Sequence, residues 1–260
     1  MDPEQEYEFD NNFENNPGSF LDLHLKARRV HPRLFNGLML GVGVGQRSYF
    51  EILRRHIRQD NVLAFGACID YQFFPTAKFR FIGNPKESED NPDELHLGFE
   101  GRSPISTFGV ELADKLKFHF LQKHDERIDF GIQISKSINN IDGPFHFDVA
   151  GRYIDPRFTL STVIGTSGMH NSLFFQIDQL LSLGIEQKFF TASGNFASIA
   201  LKKQIPEWEA DVSLSIDSQK SLVMNFERIV APTVPLRLLL SASMNGSTKT
   251  ITAGLGLLIN

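Results

Sequence analysis

The alternation in this sequence predicts an all-β fold, a transmembrane antiparallel β-barrel of about 17 strands. From Leu34 onward, apolar residues recur at every second position in segment after segment, the period of a strand whose two faces meet different surroundings. Clusters of Gly, Asn, Asp and Pro separate the segments, as turns do. The 260 residues include 24 Phe, which suit a lipid-facing surface because they need no interdigitating partner there. No run approaches the roughly 18 unbroken apolar residues of a membrane-spanning helix.

Residues 1–15 carry Asp2, Glu4, Glu6, Glu8, Asp10 and Glu14 with no Lys or Arg. They are expected to form a disordered acidic arm, and resemble neither a secretory signal nor an Arg-rich presequence. Residues 16–33 are expected to form one amphipathic helix. Asn16 suits its N-cap and Pro17 its first position, and the helix would run from Gly18 to about Val30. Phe20, Leu23, Ala27 and Val30 share one face, and His31-Pro32 ends the run.

Residues 34–260 are read as barrel. Period-two sets include Leu63, Phe65, Ala67, Ile69 and Tyr71; Leu116, Phe118 and Phe120; and Ile128, Phe130, Ile132 and Ile134. Others are Phe145, Phe147 and Val149; Leu181, Leu183 and Ile185; and Leu222, Met224 and Phe226. Two long strands close the chain, one with Leu236, Leu238, Leu240, Ala242 and Met244, the other with Ile251, Ala253, Leu255, Leu257 and Ile259. Asn245-Gly246 between them is the strongest hairpin signal. At about 13 residues per strand with its connection, the roughly 227 residues after the helix hold about 17 strands.

So many sequential strands need their edges managed, and closure removes edges altogether. A soluble barrel of that size would enclose a lumen too wide for its apolar side chains to fill, whereas a membrane barrel turns them to lipid and lines water with the polar set. A soluble all-β lipid-binding protein, apolar side inward, is the alternative from another class. With apolar positions facing lipid, the inward acids are Asp70, Glu100, Glu111, Asp129, Asp148, Glu186, Asp211, Asp217 and Glu227. Inward bases include Lys78, Arg80, Lys115, Lys117, Lys188 and Arg237. An acidic excess would attract basic passengers through many weak, screened contacts.

Nothing points to an enzyme, a cofactor or a metal. The single Cys68 excludes an intramolecular disulfide and a multi-thiolate zinc site. Eight His lack metal-ligand spacing, and no nucleophile elbow surrounds a Ser. Gly41, Gly43 and Gly45 lie in a strand pattern with no helix after it, so they are read as relieving crowding where the helix or closing strand approaches, not as a dinucleotide site. The net charge of -5 argues against nucleic acid, and Arg54, Arg55 and Arg58 read as loop-end or headgroup contacts. Trp208 suits an interfacial girdle.

Three segments carry a resemblance. Thr252, Gly254, Leu257 and Ile259 fall in the order polar, Gly, hydrophobic, hydrophobic, which resembles the sorting signal of mitochondrial outer-membrane barrels. Asn16-Pro17-Gly18-Ser19-Phe20, followed by Gly41-Val42-Gly43-Val44-Gly45, is similar to the start of the pore-forming channel subunit of the mitochondrial protein translocase, the TOM complex, in the eukaryotic porin superfamily. Ala150-Gly151-Arg152-Tyr153, Gly168-Met169-His170, Asp178-Gln179-Leu180 and the terminal hairpin resemble that family as well. Residues 72–145 match it poorly. Its long Pro-rich N-terminal region has the short acidic arm in its place here.

The resemblance implies a barrel of up to nineteen strands, about two more than the segments counted here. It also implies a parallel first and last strand pair and a helix led by Asn16, Pro17, Gly18 and Phe20 inside the lumen. It further implies a protein-conducting channel of the outer membrane of a mitochondrion, mitosome or hydrogenosome. Its partners would be precursor proteins and their presequences, receptor and small single-span TOM subunits, the barrel-assembly machinery, the lipid bilayer and other copies of the barrel. The rival within the same fold is the voltage-dependent anion channel, a metabolite porin for which a basic lumen is expected.

Overall fold

The computed structural model describes residues 16–32, 34, 37–43, 48–56, 61–74, 77–84, 94–112, 115–138, 142–166, 168–190, 194–231 and 236–259, with side chains described in 16–32, 34 and from 98 onward. The acidic arm, Gly45 and Arg58 lie outside these residues, as do the side chains of Asp70, Lys78, Arg80 and Ile259.

Seventeen strands follow one short helical segment among the described residues. They are β1 Gly37–Gly43, β2 Ser48–His56, β3 Asn61–Phe74, β4 Ala77–Asn84, β5 Glu94–Arg102, β6 Ser106–Leu112, β7 Lys115–Lys123, β8 Ile128–Ser137 and β9 His146–Ile154. Next come β10 Phe158–Gly165, β11 Gly168–Gln176, β12 Leu181–Phe190, β13 Gly194–Ile205, β14 Ala210–Asp217, β15 Ser221–Ala231, β16 Leu236–Asn245 and β17 Thr250–Ile259.

Each strand pairs antiparallel with its neighbours in sequence, from β1·β2 to β16·β17. β1 pairs in addition with β17 in parallel, Gly37 opposite Gly254 through Val42 opposite Ile259. The pairings therefore form a ring, and no strand is left with an open edge. The parallel seam follows from the odd strand number, because an up-and-down ring of seventeen brings first and last strands together in the same direction. Gly41 lies in this seam, opposite Leu258, where a residue without a side chain eases close approach.

Two faces alternate along every strand from β6 onward. The outer one carries Phe108, Phe118, Phe130, Phe147 and Val149, each more than half exposed, and continues through Leu160, Ile199, Ile216, Met224, Leu240 and Leu255. Such a surface is unstable in water and suited to lipid. Trp208, 58% exposed, stands on the 3₁₀ turn Pro206–Trp208 between β13 and β14, as an interfacial anchor would. The inner face packs against residues 16–32. The small buried cluster of Phe20, Leu23, Leu121 and Ala150, with Val163 beside it, is where the two meet.

The N-terminal segment corrects the expectation of one continuous helix. Gly18 has φ +81, a left-handed conformation that cannot sit within a right-handed helix. The Ser19 side chain, not that of Asn16, caps a 3₁₀ turn over Phe20–Asp22 by accepting from the Leu21 N–H. α1 spans only Leu25–Arg28. Phe20, Leu23, Ala27 and Val30 are nonetheless all at most 5% exposed, so the apolar face is as expected although the helix is broken. Four helical residues are not self-supporting, so the segment owes its shape to its contacts with the wall.

Candidate functional site

Residues 16–31 cross the inner face from β6 to β13, touching successive strands. Asn16 Nδ2 donates to the carbonyls of Ser103 (2.6 Å) and Ser106 (3.1 Å), while its Oδ1 accepts from Thr107 Oγ1 (3.1 Å). The Arg152 guanidinium on β9 donates to the Pro17 carbonyl and to Asp129 on β8 (2.5 Å). Ser161 on β10 donates to the Leu23 carbonyl (2.6 Å). The His24 imidazole bonds Ser172 on β11 (2.7 Å) and stacks on His170, ring centroids 3.6 Å apart. Arg28 bonds Glu186 on β12 (3.2 Å), and His31 bonds Ser198 on β13 (2.9 Å).

Two glycines make the close approach possible. A Cβ on Gly184 would lie 2.6 Å from the Ala27 carbonyl oxygen and 2.9 Å from Val30 Cβ; on Gly131 it would lie 2.9 Å from Phe20 Cδ2. Any larger residue would displace the segment. Burial holds the His24 imidazole at about 3, far below its usual 6.5, with His170 and Arg28 acting in the same direction. His24 is therefore neutral in its seat.

The inward acids with described side chains all lie on this face, and the structure gives each a partner. Glu100 meets Arg102 (2.8 Å) and Glu111 meets Lys117 (3.0 Å). Asp129 is 1% exposed and clamped by Arg152. Glu186 gathers Arg28, His170 (3.5 Å) and Lys188 (3.5 Å). Asp211 meets Lys202 (3.0 Å) and Glu227 meets Arg237 (3.0 Å). Asp148 accepts from Gln133 Nε2 (3.0 Å), and Asp217 accepts from the Gln219 and Ser221 N–H groups and so fixes a turn. Acids and bases are thus interleaved. Arg102, Lys123, Arg152 and Lys202 add inward bases that counting by sequence had left out.

Beyond the end of the segment, Arg29, His31, Lys202, Asp211, Ser213, Asn225 and Glu227 line an open polar hollow with Leu239 and Leu258. No group of three or more metal-ligating side chains forms among the described residues. Thr252 bonds Ser243 (2.6 Å) on the inner face. Gly254, Leu257 and Ile259 lie along the parallel seam, opposite Gly37, Leu40 and Val42. Of the site residues, His24, His170, Ser161, Ser172 and Ser198 escaped sequence reasoning. The signal for the wall residues was inward parity in the strand alternation, and for His24 proximity to the apolar stripe.

No protein-family model matches the chain. A curated relative from Caenorhabditis elegans, named mitochondrial import receptor subunit TOM40 homolog, is 25% identical over a 291-residue alignment covering 95% of each chain. The homolog from Xenopus laevis is 24% identical and covers 94% of this chain and 84% of its own. Among solved structures, a mutant of the Rhodopseudomonas blastica porin superposes with a TM-score of 0.55 at 8% identity, covering 81% of this chain and 91% of the porin. A second structure, titled for asymmetric conductivity of engineered proteins, gives a TM-score of 0.56 at 9% identity. The porin likeness bears on the fold, and the sequence likeness runs nearly end to end: the chain is a porin-like β-barrel related to the TOM40 homologs, the family its motifs resemble.

Proposed function

We propose that this barrel conducts unfolded, presequence-bearing precursor proteins through the outer membrane of a mitochondrion or a reduced mitochondrion-like organelle. The observation that carries the reading is the near end-to-end likeness to TOM40 homologs. The inner wall supports it, because its acids already hold Lys and Arg side chains of the protein itself. A basic presequence can exchange with those bases one pair at a time. A partly exposed pair is worth about 0–1 kcal/mol, so each contact guides a passenger and none traps it. Asp148, Asp211 and Glu227 are the more accessible members of the path, joined on other strands by Glu100 on β5, Glu111 on β6 and the β3 position Asp70. Asp129, Glu186 and Asp217 act through the seat of the segment or through a turn. The channel makes and breaks no covalent bond. Receptors, small single-span subunits and barrel-assembly machinery are its proposed partners.

Planar-bilayer recording of the purified chain tests this. Basic presequence peptide, added at low salt, is expected to cause brief blocks that shorten when Asp148, Asp211 and Glu227 are changed together to Asn, Asn and Gln. A strongly anion-selective pore that ignores the peptide would reject the reading in favour of the metabolite porin.

A further inference from the structure

The two faces of the wall treat their cations differently. Inward, Lys117, Arg152, Lys188, Lys202 and Arg237 each meet a carboxylate of the wall. The outward positions of β6 to β17 hold no acid among the described residues, yet they hold Lys136, Lys203 and Arg228. Lys203 and Arg228 face outward because their chain neighbours Lys202 and Glu227 line the inner hollow. Both are exposed. Neither forms an ion pair among the described residues, Glu207 and Glu209 of the adjoining turn included.

β14 runs between the two cations. Lys203 lies opposite Val212 and Arg228 opposite Ala210, which sets their Cα atoms about 12 Å apart, two strand spacings across and two residues along. Long, flexible stems can close that distance. Between them β14 presents only Val212 and Ala210, the latter 4% exposed, so the ground there is low. Trp208 stands at the rim end of the same patch, on the turn that leads from β13 into β14, 58% exposed and with an indole N–H to donate. Below the cations the next outward row is Leu201, Leu214 and Met224, each more than two-fifths exposed. A cation on a lipid-facing strand is unfavourable in hydrocarbon and extends toward the headgroup layer. Lys136, near the opposite rim, does so alone, its ammonium 4.4 Å from the Phe145 ring.

We propose that Lys203, Arg228 and Trp208 form a binding site for an anionic glycerophospholipid, the two cations holding its headgroup phosphate above Ala210 and its acyl chains lying along Leu201, Leu214 and Met224. Three features favour this occupant. Two cations without an acid partner match a net-negative headgroup, whereas a zwitterionic one brings an ammonium that they repel. The apolar row directly below suits acyl chains, which a soluble phosphate lacks. An exposed tryptophan at the same rim occupies the headgroup level, where its ring and its N–H are both satisfied. The inference rests on the membrane-barrel fold and is independent of what passes through the pore.

Trp208 is the single tryptophan of the chain, so its fluorescence reads the lipid beside it. The purified full-length protein is reconstituted in phosphatidylcholine vesicles, with insertion checked by resistance to carbonate. An equal fraction of the lipid is replaced by dibrominated phosphatidylglycerol or by dibrominated phosphatidylcholine, whose bromines quench a neighbouring indole. The anionic lipid is expected to quench as though enriched on the order of tenfold around Trp208, the scale set by two cations near a headgroup layer. With Lys203 and Arg228 both changed to Gln this preference should vanish, whereas Lys136→Gln should leave it intact. Equal quenching of inserted protein by the two lipids would overturn the proposal, as would an unchanged preference in the double variant. Loss of the preference on adding inorganic phosphate at constant ionic strength would assign the cations to a soluble anion and overturn it too.

Discussion

Glu186 is the residue on which the inner wall converges, with Arg28 from the N-terminal segment and His170 and Lys188 from the wall around one buried carboxylate. Its side chain is 7% exposed while that of Arg28 is 42% exposed, so the pair lies between a surface and a buried one. Glu186→Gln is expected to weaken seating of the segment by about 1–2 kcal/mol, below the buried-pair range because water screens Arg28. The check is faster proteolysis within residues 16–32 of reconstituted protein. His24 beside it supplies a pH test. Its value in the seat, about 3, is below the 6.5 of the released state, so released protein binds the extra proton. Seating is full above about pH 6.5 and declines as pH falls below it. The labelling ratio of Val30→Cys to an exposed Ser247→Cys should therefore rise between about pH 7.5 and 5. With His24→Asn it should stay flat, and a flat ratio in both proteins would show that His24 titrates freely. None of these pairings was visible in the sequence, because partners such as His24 and Ser172 are 148 positions apart and only the closed wall brings them together.

At the scale of elements, the segment 16–32 shows what a pattern reveals and what it hides. The spacing of Phe20, Leu23, Ala27 and Val30 identified the buried face. The helix expected from Gly18 starts late because Gly18 adopts positive φ, and it is interrupted before Leu25 at His24, whose φ -98 and ψ 1 depart from helical values. The glycines that receive the segment, Gly131 and Gly184, lie in β8 and β12, far from the conspicuous Gly41-Val42-Gly43 run, of which Gly41 and Val42 pair in the parallel seam instead. A lone glycine within a strand signals close approach without saying of what. Gly184→Ala should push the segment off the wall at a cost of about 1–3 kcal/mol and raise channel conductance in planar bilayers, with the barrel's insertion unchanged. Unaltered conductance would mean that the segment does not narrow the pore. In β17, the proposed sorting signal predicts that Leu257→Ala lowers the carbonate-resistant fraction after import into isolated organelles. The equally outward Leu255→Ala, outside the pattern, should insert normally.

For the whole molecule, the period-two alternation made the ring legible almost in full: about 17 strands were expected and seventeen pair, with the parallel seam that family resemblance implied. Alternation succeeds here because lipid outside and water inside treat the two faces of each strand differently along its length. What parity does not reveal is how charges pair across strands. The acids expected on the wall lie beside Arg102, Arg152, Lys188, Lys202 and Arg237, pairings that parity alone could not place. The central claim is that a polypeptide passes along this inner face. The most direct measurement is thiol crosslinking of an arrested presequence-bearing precursor to single cysteines in a Cys68→Ala background. Inward Asp148→Cys, Asp211→Cys and Glu227→Cys are to be compared with outward Phe147→Cys and Leu214→Cys. Adducts from the three inward positions and none from the outward pair are the predicted result. Adducts from neither set, or from the outward set alone, would contradict a path through the barrel.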